Sequence, residues 1–177
     1  MINIPLANPS RELEHIPNFE QKLSKQFRGG VYVGGESVDN FEKNFKDIIG
    51  AKYCVSLNSG TDALILALIA LGIKKGDRVL VPSFTFFSTV ECILHLNAIP
   101  VFVDINLKNY TIDLDDFISK ATSEIKAAIP VHLFGNDAQI TEVKKICLEK
   151  NIKLVEDVAQ AFGSQDEKNN YLGSIGA

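Results

Sequence analysis

Residues 125–155 read IKAAIPVHLFGNDAQITEVKKICLEKNIKLV, and this stretch decides the fold class. Short apolar runs at 125–131 and 153–155 enclose a segment, 137–150, in which apolar residues recur at helical spacing. One face of that segment holds Ile140, Val143, Ile146 and Cys147, and the other positions hold Glu142, Lys144, Lys145 and Glu149. Because strands connected through a helix run parallel, the stretch predicts a right-handed βαβ unit.

The same alternation extends back to residue 50. The candidate strands are Tyr53–Leu57, Arg78–Val81, Ile99–Val103, Ile125–Val131 and Lys153–Val155. The candidate helices between them are Thr61–Leu71, Phe86–Asn97, Leu114–Ala121 and Asp137–Lys150. The pattern predicts an α/β fold with three layers, α/β/α, in which helices cover both faces of a mostly parallel central sheet.

The two ends of the chain have a different character. Residues 1–50 predict an N-terminal helical arm, with helices at Glu12–Phe27 and Val38–Ile49 joined by the glycine-rich loop RGGVYVGG at 28–35. We expect residues 51–177 to form the main domain, with a small hairpin around residues 166–170. The closing GSIGA at 173–177 resembles a cut in a longer domain.

Composition limits the class of protein. The net charge of −4 and the absence of a basic run give no electrostatic reason to expect nucleic acid. No apolar run reaches the roughly 18 residues that span a bilayer, and the first residues lack the pattern of a signal peptide. We therefore expect a cytoplasmic protein with no membrane segment and no metal site, whose three cysteines are buried free thiols.

Three strand-to-helix junctions hold unusual polar or aromatic residues, and in parallel sheets ligands bind beyond the carboxyl ends of the strands. The first junction is NSGTD at 58–62, where Ser59, Gly60 and Thr61 suit a phosphate at a helix N-terminus. A capped tight turn that binds no ligand explains the same residues.

The second junction is PSFTFFST at 82–89, where one phenylalanine ring could lie flat against a planar cofactor, although core packing is the ordinary role for these residues. The third is VEDVAQA at 155–161, where Asp157 follows an apolar strand. A carboxylate buried there requires a cationic partner, unless it caps the next helix. His132 is expected to be a hydrogen-bonded structural residue.

Five segments together resemble one known family. GTDAL at 60–64, GD at 76–77, PSFTF at 82–86, PVHLFG at 130–135 and EDVAQA at 156–161 occur in this order. The chain from about Gly29 onward resembles the DegT/DnrJ/EryC1/StrS sugar aminotransferases, which use pyridoxal 5'-phosphate and have the aspartate aminotransferase fold, fold type I. The resemblance implies the large cofactor-binding domain of such an enzyme, truncated before its small domain.

The resemblance also implies roles for individual residues. Gly60 and Thr61, with Ser59 adjacent, correspond to the phosphate-binding turn, and Phe86 to the aromatic ring against the pyridine. Asp157 corresponds to the acid paired with the pyridine nitrogen, and Gln160 to a position near the phenolic oxygen. The Schiff-base lysine is expected about ten to fifteen residues beyond Ala177, so residues 1–177 alone should lack transaminase activity.

The family likeness further implies a nucleotide-linked keto-sugar as acceptor, glutamate as amino donor and a homodimer. Two other activities within the family remain open, a sugar dehydratase and a regulatory protein. Outside the family, a Rossmann oxidoreductase is disfavoured because no GxGxxG follows the first strand. A noncatalytic binding domain is disfavoured by the polar residues at the strand ends.

Overall fold

The computed structural model describes residues 8–176, and these divide into two compact units between Phe41 and Glu42. The first unit contains α1 (Pro9–Leu13), α2 (Phe19–Arg28) and the beginning of α3 (Glu36–Ile49). The prediction of one helix over Glu12–Phe27 is wrong, because the helical geometry is interrupted between α1 and α2. Pro17 lies in this break, and proline disfavours helical geometry at the residue before it.

The glycine-rich loop after α2 is held by side chains of the first unit. Gly30, Gly34 and Gly35 have φ angles of +71°, +66° and +79°, which only glycine adopts at little cost. The Gln26 amide donates to the Val31 carbonyl at 3.0 Å and accepts from the Ser37 hydroxyl at 3.0 Å. The loop therefore has a defined path from α2 to α3.

The second unit alternates helices with parallel strands. Its elements after α3 are α4 (Gly60–Ala70), β1 (Arg78–Pro82), α5 (Ser88–His95), β2 (Ile99–Val103), α6 (Leu114–Lys120), β3 (Ile125–Ala128), α7 (Ile140–Lys150) and β4 (Lys153–Leu154). The four strands form one sheet in the order β2-β1-β3-β4, and every pair is parallel. The predicted parallel α/β architecture is confirmed.

Each face of the sheet carries its own apolar core. Val79 and Val81 of β1 pack on one side with Leu68 of α4 and Ile93 of α5. Leu80, between them, belongs to the opposite cluster. That cluster includes Phe117 of α6 and three residues of α7, Ile140, Val143 and Cys147. This alternation along β1 is the pattern of a strand buried on both faces, and it confirms the three layers.

Two predicted strands differ from the structure. Residues 53–57 form no strand among the described residues, and Tyr53 and Val55 are about three-quarters exposed, at 74% and 75%. A strand exists only where a neighbour pairs with its backbone, and no described strand lies beside this segment. The strand predicted over Ile125–Val131 ends at Ala128 as a regular element. Pro130 has no N–H to donate to the ladder, and the pairing resumes as a parallel bridge between Val131 and Asp157.

The structure also describes the predicted hairpin, the cysteines and the lengths of the helices. A bridge between Gln165 and Tyr171 closes the hairpin predicted there. Burial raises the pKa of the Cys92 and Cys147 thiols to about 12, whereas Cys54 is only half-buried, unlike its prediction. Within residues 8–176, every helix is too short or too polar to cross a bilayer.

Candidate functional site

The predicted site residues that follow β4 lie at the carboxyl edge of the sheet. Beyond the end of β4, Val155 N donates to the Ala128 carbonyl and Asp157 N to the Pro130 carbonyl, each at 3.0 Å. His132 N returns a 3.0 Å hydrogen bond to the Asp157 carbonyl. Parallel pairing therefore continues past the named strands and fixes the backbone of Asp157.

The Asp157 carboxylate is nearly buried, with 9% of the residue exposed. Its Oδ2 accepts a hydrogen bond from Thr89 Oγ1 at 3.0 Å, and its Oδ1 accepts one from Ala159 N at 3.2 Å. Among residues 8–176, it forms no ion pair with a lysine, arginine or histidine. A buried carboxylate without a counter-ion fits a cationic group such as a protonated pyridine nitrogen.

The turn before α4 caps the helix and leaves two backbone amides without an acceptor among the described residues. Ser59 caps the helix, because its hydroxyl accepts from Asp62 N at 3.1 Å and donates to the Asp62 carboxylate at 2.9 Å. The N–H groups of Gly60 and Thr61 have no acceptor among the described residues. A Cβ built on Gly60 would meet no atom within 4 Å, so space lies open beside this residue. That arrangement fits a phosphate.

The first turn of α5 connects the turn before α4 to the buried acid. Thr61 Oγ1 donates to Ser88 Oγ at 2.8 Å, and the next residue, Thr89, donates to Asp157. Thr85 continues this network, since its hydroxyl lies 3.1 Å from Thr89 Oγ1. The turn at Gly60 and the acid at position 157 are therefore connected through the first turn of α5 and lie at the same edge of the sheet.

Phe86 and Gln160 flank this edge. Phe86 is 70% exposed in the loop between β1 and α5, so its ring is available to a ligand rather than packed in the core. Gln160 accepts a hydrogen bond from Phe134 N at 3.0 Å through its side-chain oxygen. This bond ties Gln160 to the loop that follows β3 and leaves its amide NH₂ with no acceptor among the described residues.

His132 has the structural role expected of it. Its side chain is fully buried, its Nδ1 accepts from Ala138 N at 3.2 Å, and its Nε2 lies 3.2 Å from Glu156 Oε2. Because Nδ1 accepts a hydrogen bond, the ring N–H is on Nε2, and this N–H donates a hydrogen bond to Glu156.

Sequence reasoning missed two residues at this edge, Thr89 and Glu156. Thr89 is buried and contacts Asp157, which lies 68 positions further along the chain, and no local pattern indicates this contact. Glu156 had a usable signal, because consecutive residues of a strand point to opposite sides. If Asp157 faces the candidate site, the adjacent Glu156 must therefore face the opposite side of the backbone.

A parallel three-layer α/β sheet with a buried acid and a helix N-terminus at its carboxyl edge is the arrangement of the large domain of fold type I enzymes that use pyridoxal phosphate. The family model for the DegT/DnrJ/EryC1/StrS aminotransferase family matches residues 14–177, and the chain belongs to this family. The family consists of pyridoxal-phosphate-dependent enzymes.

Individual relatives have different names for their activity. The chain is 39% identical over 142 residues to UDP-2-acetamido-2-deoxy-3-oxo-D-glucuronate aminotransferase from Pseudomonas aeruginosa, covering 80% of this chain and 40% of the relative. It is 33% identical to a pleiotropic regulatory protein from Geobacillus stearothermophilus, covering 99% of this chain and 47% of the relative.

A solved structure gives the same fold. The Escherichia coli GDP-4-keto-6-deoxy-D-mannose-3-dehydratase with bound hydrated PLP superposes with a TM-score of 0.88 at 30% identity, covering 99% of this chain and 46% of that one. The chain thus spans less than half the length of these relatives.

Proposed function

We propose that this chain forms the cofactor-binding part of an aminotransferase that moves an amino group, from glutamate, to a keto group of a nucleotide-linked sugar in amino-sugar biosynthesis. The observation that carries the proposal is the Asp157 carboxylate, which is nearly buried, oriented by two hydrogen bonds and without a counter-ion among the described residues. Its position at the edge that also holds the Gly60 turn supports one coenzyme spanning both.

Each predicted residue has a distinct task in this proposal. The N–H groups of Gly60 and Thr61 would hold the phosphate at the start of α4, where the helix dipole favours an anion. The exposed Phe86 ring would cover one face of the pyridine, and the free amide of Gln160 would donate to the phenolic oxygen. Ser59 would act mainly by capping α4, so that its neighbours stay in place.

The chemistry explains why the acid matters most. Bound pyridoxal phosphate supplies an electron sink for the amino group transfer. The Asp157 carboxylate would keep the ring nitrogen protonated, since an opposite charge at close range favours the charged form. Thr89 and Ala159 orient that carboxylate, and burial excludes water that would screen its electrostatic interaction with the ring nitrogen.

The proposal is tested on the product of the complete reading frame. We expect it to bind pyridoxal phosphate with a new absorbance band, and to lose that band when glutamate is added. Return of the band on addition of a nucleotide-linked keto-sugar completes the test. If the protein binds the coenzyme but glutamate leaves its spectrum unchanged, the aminotransferase assignment is wrong.

A sugar dehydratase of the same family is the second candidate, because the E. coli dehydratase matches 99% of this chain. The residues proposed to hold the coenzyme would have the same tasks in either reaction. The two activities differ in the product, since a dehydratase releases water from the sugar and leaves no amino group on it. Mass spectrometry of the sugar product therefore separates them.

We also propose that the protein is a homodimer in which α2 contacts the partner. No residue of α2 is buried, and Leu23 and Phe27 of this helix are 43% and 57% exposed. Apolar residues on an amphipathic helix favour a covered position. Sedimentation of the complete protein as a monomer at micromolar concentration would contradict this part of the proposal.

A further inference from the structure

Glu156 is a buried carboxylate that the proposed cofactor chemistry does not use. Its side chain is 3% exposed, and it directly precedes Asp157 in the extended segment that follows β4. Because neighbouring residues of an extended chain point in opposite directions, the two acids serve opposite sides of the backbone. Asp157 faces Thr89, whereas Glu156 faces His132 and the backbone of residues 173–176.

Four donors converge on this carboxylate. Gly173 N donates to Oε2 and Ile175 N to Oε1, each at 2.8 Å, and Gly176 N also donates to Oε1. His132 Nε2 completes the set at 3.2 Å. Burial raises the pKa of Glu156, but the hydrogen bonds from His132, Gly173 and Gly176 outweigh it and hold the pKa below its ordinary value. The group is therefore ionised at neutral pH.

The segment 173–176 has no helix or strand of its own to satisfy its backbone. Its path also depends on close approach. A Cβ on Gly173 would lie 3.0 Å from a methyl carbon of Val158, at a φ of +89°, and a Cβ on Gly176 would lie 3.0 Å from Glu156 Oε1. Lys144 Nζ holds the segment from the other side through the Ile175 carbonyl, at 2.6 Å. Glu156 is thus the acceptor for three of the N–H groups of this segment.

We infer that Glu156 is a positioning residue that fixes the backbone of Gly173–Gly176 relative to Asp157, the residue that follows it in the chain. Resting on the proposed function, the consequence is that Glu156 sets where the chain leading to the expected lysine leaves the sheet edge. Asp157 and the lysine must meet the same small coenzyme, so an error in this path would separate them.

The backbone part of the inference is tested by hydrogen–deuterium exchange on the complete, cofactor-free protein. In Glu156→Gln, an amide replaces the carboxylate and turns an NH₂ group toward donors. We expect the amides of residues 173–176 to exchange about tenfold faster or more, since a hydrogen bond to a charged group contributes roughly 1.5–3 kcal/mol. Exchange in α7 should stay as in the unaltered protein.

Glu167→Gln is the matched control, because Glu167 is an exposed acid in the nearby hairpin and the chemical change is identical. Its exchange should match that of the unaltered protein throughout. If Glu156→Gln exchanges rapidly everywhere, Glu156→Asp replaces it, since aspartate keeps the charge and is shorter by one methylene. Unchanged exchange at 173–176 in the variant that remains folded overturns the inference.

A second measurement concerns the coenzyme and does not require turnover. At saturating pyridoxal phosphate, borohydride fixes the cofactor that is linked to lysine. We expect the fixed fraction to fall about threefold or more in Glu156→Gln and to stay unchanged in Glu167→Gln, as a misplaced reacting group loses its productive geometry. Equal fixed fractions in the two variants would show that Glu156 does not affect the position of the lysine. The exchange result would then decide the backbone role alone. If the unaltered protein binds no coenzyme, the proposed function fails and the exchange result still stands.

Discussion

Thr89 Oγ1 donates a 3.0 Å hydrogen bond to Asp157 Oδ2, although the two residues are 68 positions apart in the chain. Thr89 lies in the first turn of α5 and is 1% exposed, so the bond is shielded from water. Through its neighbour Ser88, the same turn binds Thr61 at the start of α4. One helical turn therefore sets the relative positions of the two groups proposed to hold the ends of the coenzyme.

Asp157→Asn in the complete protein should keep the fold and slow the amino-donor half-reaction. A carboxylate shifts the pKa of a neighbouring group by about 1–3 units, so its loss should lower the protonated fraction of the ring nitrogen, and the rate, by about ten- to a thousandfold. Stopped-flow absorbance with glutamate measures this rate. Asp113→Asn is the control, because Asp113 caps α6 and asparagine caps equally well. A half-reaction of ordinary speed in Asp157→Asn would take the proposed role from this residue.

Thr89→Val should destabilise the protein by about 1–3 kcal/mol, because the nearly buried Asp157 oxygen loses its donor while the shape of the side chain is kept. Thr89→Ser retains the hydroxyl and should lose less. Urea unfolding of the cofactor-free protein measures both variants. A Thr89→Val protein as stable as the Thr89→Ser protein would show that the hydroxyl contributes no net stability.

Gly60→Ala should weaken binding of pyridoxal phosphate without harming the fold. The added methyl group meets no atom of the described chain within 4 Å, and alanine favours a helix more than glycine does. It would occupy the space proposed for the phosphate, so we expect an affinity loss of about tenfold or more, together with an unchanged or slightly raised melting temperature. Fluorescence titration gives the affinity. Equal affinities would place the phosphate elsewhere.

Glu156 should make stability depend on acidity in a defined direction. Its pKa in the folded state lies below the ordinary value of 4.5, so the unfolded chain binds the proton more readily. The stabilisation is complete above the unfolded pKa and is lost as the pH falls through the folded one. The difference in unfolding free energy between the unaltered protein and Glu156→Gln should therefore be constant from about pH 6 to about pH 7. It should shrink below about pH 4.5. A difference that grows in acid would contradict the pKa direction.

Much of the architecture could be predicted from local pattern. β2 spans Ile99–Val103 as the sequence predicts, and α7 differs from its prediction only at its beginning. The failures have physical causes beyond such patterns. The segment Tyr53–Leu57 has the composition of a strand, but a strand also requires a neighbouring backbone, which composition cannot supply. The helix predicted over Glu12–Phe27 contained its own contrary signal in Pro17.

The sequence by itself determined the parallel α/β class, the helix faces and the segments that reach the carboxyl edge, because burial imposes periodic patterns that remain visible in the residue order. Only the tertiary structure decided that Thr89 holds Asp157, that Thr61 reaches Ser88, and that Glu156 gathers the backbone of 173–176. Such contacts depend on strand register and on how helices pack across the sheet. Distances of a few ångströms between residues far apart in the chain are set by the whole fold and leave no local trace.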